Sequence, residues 1–185
     1  MNYENYVEEL GKAARTASRS LRMVNANMRN EVLESAAKSL LEKKSHIMTA
    51  NALDLEAAQA MGLSEAMYDR LTLTEERIQG MSDALLEIAA FEDPLGKVLG
   101  QSTTKDGLTI EKQSVPIGSI LFIYESRPNV TIDGAALCLK SGNAVVLRGG
   151  KESAHSSKIL VDIFRQCMVS CCLLYTSPSP RDSDS

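Results

Sequence analysis

The chain has 185 residues, 20 Lys and Arg against 24 Asp and Glu, and a formal charge of -4, which bounds it to one domain, or one and a fragment. Aromatic residues make up 4% with no Trp, so few rings are available to stack on bases and nucleic-acid binding is disfavoured. The longest apolar stretch, Ile117 to Tyr124, falls far short of the roughly 20 residues that span a bilayer.

Met1-Asn-Tyr-Glu4 shows neither a basic nor an apolar leader segment, so a cytoplasmic protein without a membrane partner is expected. Residues 1 to about 92 predict helices, because apolar residues recur at intervals of three and four. Val32, Ala36 and Leu40, with Leu33, Ala37 and Leu41, make one stripe. A second helix begins after Thr72, where Thr72 with Glu75, or Thr74 alone, can accept bonds from amides at the helix start. Its apolar positions are Ile78, Met81, Leu85 and Ile88, and Asp93-Pro94 ends it.

From Lys97 the texture becomes β-like, with Asp106-Gly107 between two polar runs. Both turn residues can adopt positive φ, which predicts a hairpin. Its strands carry few large apolar side chains, so an oligomer contact is one expected use. Ile117 to Tyr124 then forms an apolar run without alternation, as in a strand covered on both faces of a parallel sheet. A helix from Asn129 to Lys140 stops at Ser141-Gly142-Asn143, and Ala144 to Leu147 is a second buried strand. The unit from Ile117 to Leu147 has the length of a βαβ crossover. A third helix runs from about Glu152 to Gln166. After it, two prolines and a polar end predict a disordered, non-native tail over residues 167–185, in which Cys171 and Cys172 carry no function.

Four constellations bear on chemistry. Leu147-Arg148-Gly149-Gly150-Lys151-Glu152-Ser153 places a glycine turn at a helix start, which suits a phosphate or is an ordinary tight turn. A P-loop is set aside, because Val145 stands where its first Gly belongs and Glu152 follows the Lys. The loop Tyr124-Glu125-Ser126-Arg127-Pro128-Asn129 lies at the end of a buried strand, where α/β proteins place ligands, and lacks the G-x-G-x-x-G fingerprint. Arg127 either pairs with an anionic substrate or is a solvated loop residue; Asn129 either donates to an oxyanion or caps the next helix. His46 and His155 have no partner at a telling spacing, and Cys138 lies among apolar neighbours as a small hydrophobe. The four cysteines, Cys138, Cys167, Cys171 and Cys172, show no metal-ligand spacing, and no metal is expected.

Val115-Pro-Ile-Gly118, Tyr124-Glu-Ser-Arg-Pro-Asn-Val-Thr131 and Ala136 to Gly150 resemble the gamma-glutamyl phosphate reductase (glutamate-5-semialdehyde dehydrogenase) family of the aldehyde dehydrogenase superfamily. The resemblance covers residues 1 to 166, including Ala50-Asn51-Ala-Leu-Asp54-Leu. It implies an α/β fold: N-terminal helices (1–96), a hairpin of the oligomerisation segment (97–115), and the start of a Rossmann-like cofactor domain (116–166), truncated. The implied reaction is NADPH-dependent reduction of L-glutamyl 5-phosphate to L-glutamate 5-semialdehyde and phosphate, in L-proline biosynthesis. A cysteine thiolate attacks the acyl phosphate and hydride reduces the thioester.

By the same resemblance Asn129 stabilises the oxyanion, and Tyr124, Glu125, Ser126, Arg148, Gly150 and Glu152 bind NADPH. Arg127 meets the substrate carboxylate or phosphate. The family's nucleophilic cysteine matches none of the four here, so the chain is expected to be inactive alone, and the full-length protein a homo-oligomer. The alternative reading is a non-catalytic nucleotide-binding or co-assembling fragment.

Overall fold

Two helix starts in this chain fall where a side chain accepts an orphan amide hydrogen. The computed structural model describes residues 3–171. Asn25 accepts from the Met28 amide at 3.0 Å and opens α2 (Ala26–Glu42) after α1 (Tyr3–Leu21). Thr74 accepts from Arg77 at 3.2 Å and opens α5 (Glu75–Ala90), which follows α3 (Lys44–Ala60) and α4 (Glu65–Leu71). Of the two expected starts, Thr74 is the one used; the Thr72 hydroxyl donates instead to the Tyr68 carbonyl.

Val32, Leu33, Ala36 and Leu40 of α2 pack with Ile78, Met81, Leu85 and Ile88 of α5, all buried. Leu41, placed in the same stripe by sequence, is exposed. The expected hairpin is β1 (Val98–Thr103) paired antiparallel with β2 (Thr109–Gln113), every residue of both exposed. Its loop differs from the two-residue turn expected. The Thr104 carbonyl accepts from Gly107, the Thr104 amide donates to Leu108, and only Gly107 needs a positive φ, at +84°. This is the three-residue loop in which a turn is closed by glycine.

β3 (Ser119–Ile123), α6 (Pro128–Lys140) and β4 (Ala144–Arg148) form the crossover, with Ser119 opposite Ala144 and Ile123 opposite Arg148 in a parallel ladder. Pro128 takes the first helical position, where its missing N–H costs nothing. β3 is not covered on both faces as its apolar run predicts. Phe122 packs under α6 at Gly134, but Leu121 and Ile123 are 63% and 67% exposed.

A single 3₁₀ turn, Lys151–Ser153, leads into α7 (Ala154–Ser170). That helix runs past Gln166, because Cys167 is buried against the core and its thiol donates to Ser39. Residues 167–170 are therefore helical, contrary to the expected tail; the remaining expectation of disorder falls on residues 172–185, outside the described residues.

Two buried polar clusters join the helices. Arg29 donates to both carboxylate oxygens of Asp93 at 2.7 Å and to the Val24 carbonyl, while Lys140 at the end of α6 donates to Asn30 and the Ala89 carbonyl. Burial pushes the Lys140 ammonium down, and the Asp93 charge opposes that. On α3, Asp54 is 2% exposed and accepts from the His155 amide (3.0 Å), the Ser156 amide (2.8 Å) and the Ser156 hydroxyl (2.6 Å). One turn earlier Asn51 donates to the Leu71 carbonyl and to Ser156, and accepts from the Leu73 amide at 2.8 Å. α3 thus holds the first turn of α7 and the loop between α4 and α5 at once.

Asp54→Ala leaves three buried donors at the start of α7 without an acceptor. A loss of about 2–4 kcal/mol in urea unfolding is expected; a loss under about 1 kcal/mol would show that α7 does not depend on this cap.

Candidate functional site

In a parallel pair the strands end together, and the loops that leave them are forced to meet. Here they are the segment from Tyr124 to Arg127 after β3 and the turn from Gly149 to Ser153 after β4. The Tyr124 amide extends the ladder by donating to the Arg148 carbonyl at 3.1 Å. Its ring lies against Gly149, where a Cβ would stand 3.0 Å away, and its hydroxyl shares a 2.7 Å bond with Thr131 on α6.

Ser126 donates to the Glu152 carboxylate. A side chain at Gly150 would run into both groups, so glycine is required for their approach. The Ser126 hydroxyl, then the Glu152 amide, hold the Glu152 carboxyl below the usual glutamate range, and Lys151 and Arg148 add to this. Arg148 is exposed and donates only to the Gly149 carbonyl. Glu125 is exposed and lies 3.8 Å from Arg70. Five of the six residues read as cofactor-binding therefore meet at one turn, while Glu125 leans toward α4.

In the helix that this turn leads into, two amides are not free for a phosphate. The amides of His155 and Ser156, in the first turn of α7, already donate to Asp54, and a carboxylate at that helix end occupies the place a phosphate would take. The Glu152 carboxylate offers hydrogen-bond acceptors instead. A charged acceptor in a glycine-walled cradle at the strand ends suits the hydroxyl donors of a ribose.

On the other side of the same loop lies a cleft of about 460 Å³. Arg127, Asn129 and Asp133 line it together with Arg70 of α4 and Arg77 of α5. Arg77 is committed to the Asp69 carboxylate at 2.9 Å and to the Thr72 carbonyl at 2.7 Å. Arg127 is exposed and has no side-chain partner among the described residues. Asn129 does not cap α6. Arg127 occupies the cap position, and the Asn129 amide points along the helix to Asp133 at 3.5 Å. Burial pushes the Asp133 carboxyl up, against the smaller effect of Asn129.

Sequence reasoning missed Asp133, although its i, i+4 relation to Asn129 on a predicted helix places both on one face. It also missed Arg70 and Arg77, for which no local signal exists. His46 and His155 are exposed and Cys138 is buried among apolar side chains, as expected; burial pushes the Cys138 thiol up. Among the described residues no group of His, Cys, Asp and Glu could hold a metal ion, and no helix is long and apolar enough to cross a membrane.

The aldehyde dehydrogenase family matches residues 2–171. A gamma-glutamyl phosphate reductase of Persephonella marina is 45% identical over 166 residues, covering 90% of this chain and 37% of that protein. One of Rhodopirellula baltica is 47% identical, covering 85% and 36%. Among solved structures, gamma-glutamyl phosphate reductase from Thermotoga maritima superposes with a TM-score of 0.85 at 38% identity, over 88% of this chain and 39% of that one. The Saccharomyces cerevisiae enzyme gives 0.84 at 33%, over 88% and 41%. The chain thus spans well under half the length of these relatives.

Ser126→Ala removes the main contact favouring ionised Glu152, so the Glu152 pKa is expected to rise toward the ordinary glutamate value in a carboxyl-carbon NMR titration. Because the folded-state value is depressed, the stabilisation from this pair is present above the ordinary glutamate pKa and is lost as pH falls through the folded one. An unchanged Glu152 titration in the variant would exclude the hydroxyl as the cause.

Proposed function

We infer that this chain, which belongs to the aldehyde dehydrogenase family, forms the cofactor and oxyanion side of a site reducing L-glutamyl 5-phosphate to L-glutamate 5-semialdehyde and phosphate. The reaction uses NADPH and serves L-proline biosynthesis in the cytoplasm. The observation that carries this reading is the loop after β3, which presents Ser126 to Glu152 on one side and Arg127 with Asn129 to a polar cleft on the other.

When bound, NADPH supplies the hydride. Glu152 would accept from the ribose hydroxyls, and exposed Arg148 would provide the cation for a phosphate on the ribose. Tyr124, packed on Gly149 and bonded to Thr131, fixes the wall beside the cofactor, and Glu125 and Ser126 complete it. In the cleft, Arg127 pairs with an anionic end of the substrate. The Asn129 amide donates to the carbonyl oxygen as negative charge develops on it, the contribution expected of a preorganised donor. Phosphate leaves as the acyl carbon is taken by a thiolate.

That thiolate is not expected from the cysteines described here. Cys138 and Cys167 are buried, Cys171 is half-buried, and none of the three lines the cleft. This favours, for residues 1–185 alone, the second reading of a chain that binds nucleotide or co-assembles through the exposed β1–β2 hairpin without turning over. Homo-oligomerisation through that hairpin belongs to the same proposal.

Titration of the purified chain with NADPH tests the cofactor reading. Saturable binding is expected, weakened at least tenfold, or about 1.4 kcal/mol, by Glu152→Ala and by Arg148→Ala. Wild-type affinity in both variants would move the cofactor away from the β4 turn. No NADPH formation from glutamate 5-semialdehyde is expected of the chain alone, and turnover would overturn the second reading.

A further inference from the structure

Asn129 and Asp133 stand one turn apart on α6, both on the wall of the 460 Å³ cleft. Four residues of helix rise by about 6 Å. The bond between them, 3.5 Å from amide nitrogen to carboxylate oxygen, is at the long limit for a hydrogen bond. No lysine or arginine among the described residues reaches the Asp133 carboxylate within ion-pair distance, although three arginines line the same cleft. Arg77 is spent on Asp69 and Arg70 lies toward Glu125. Arg127 is unpartnered.

A part-buried carboxylate without a cation is costly, and a well-placed cation with hydrogen bonds to it offsets part of that cost. An unmated carboxylate and an unmated guanidinium on one cleft form the complement of a zwitterion. In a glutamyl chain the reacting carbonyl carbon and the α-ammonium nitrogen are four bonds apart, about 5 Å when extended, so a substrate whose carbonyl oxygen lies at the Asn129 amide brings its ammonium within reach of the Asp133 carboxylate beside it.

We propose that Asp133 receives the α-ammonium of an amino-acid substrate while Arg127 takes its α-carboxylate, so that the first two turns of α6 select α-amino acyl substrates over simple dicarboxylic ones. The assignment rests on the reading above that puts the reacting carbonyl at Asn129. Asp133 is a specificity-determining residue in this scheme and takes no part in the bond changes.

Calorimetric titration of the purified chain with L-glutamate and with glutarate, which has the same carbon chain and both carboxylates but no amine, reads the selection directly. L-glutamate is expected to bind at least tenfold tighter than glutarate. Asp133→Asn should reduce L-glutamate affinity at least tenfold and leave glutarate unchanged or tighter. Equal wild-type affinities, or a preference that survives Asp133→Asn and Asp133→Ala, overturns the role of Asp133 while leaving the cleft as a substrate site. Absence of binding by either ligand overturns the cleft itself. Both variants are expected to fold. Asp133 is only half-buried and its one side-chain bond, to Asn129, is long, so little native packing is lost in either variant.

Discussion

A single buried carboxylate, Asp54, decides where α7 begins. It supplies the negative charge that the first turn of a helix attracts and satisfies donors that have no partner within the helix. Because the 3₁₀ turn carrying Glu152 is continuous with that first turn, the cap also sets where Glu152 stands relative to Ser126. Asn51 extends the same brace to the Leu71–Leu73 segment, which precedes the helix carrying Arg77. One polar face of α3, burying the four hydrogen-bonding atoms of Asn51 and Asp54 that would each be costly if unpaired, therefore ties the start of α7 and the segment before α5 to one helix. The Arg29, Asp93 and Lys140 cluster does the equivalent work at the far end of α6, holding its C-terminal turn to α2 and to the end of α5.

The architecture was readable where one residue type carried one physical constraint. The apolar stripe of α5, the glycine stop after α6 and the apolar run of β3 give the helical half and the βαβ crossover. The residues that gather at the strand ends follow from that crossover, since parallel strands must deliver their loops to the same edge. What was not readable depends on pairs far apart in sequence. Nothing near Ser126 announces Glu152, and the packing that joins them is the absence of a side chain at Gly150. Asn51 and Asp54 look like surface positions on a helix until Ser156, more than a hundred residues later, folds against them.

The same distinction explains where the pattern misled. An apolar run reports that a strand contains large side chains, but not that both its faces meet something, and Leu121 and Ile123 lie open. A glycine turn at a helix start reports free amides only if no side chain has claimed them, and here Asp54 has. Asn129 shows a third form of the problem. Its identity suits a cap, but Pro128 before it already occupies the first helical position, which displaces Asn129 into the helix and turns its amide along α6.

The open outer face of β3 has a consequence for how the chain moves. The helices α2 and α5 bury most of their apolar positions against each other, whereas β3 leaves Leu121 and Ile123 open although α1 and α6 both pack on the ladder, and every residue of the β1 and β2 strands is exposed. Local opening is easiest where few apolar contacts must be broken. Amide protons in the middle of α2 should then exchange with solvent only on global unfolding, while those of the hairpin and of β3 exchange through far smaller fluctuations. The open strand edge that leads into Tyr124, Ser126 and Arg127 is thus expected to exchange sooner than the partners that hold Tyr124 and Ser126 in place.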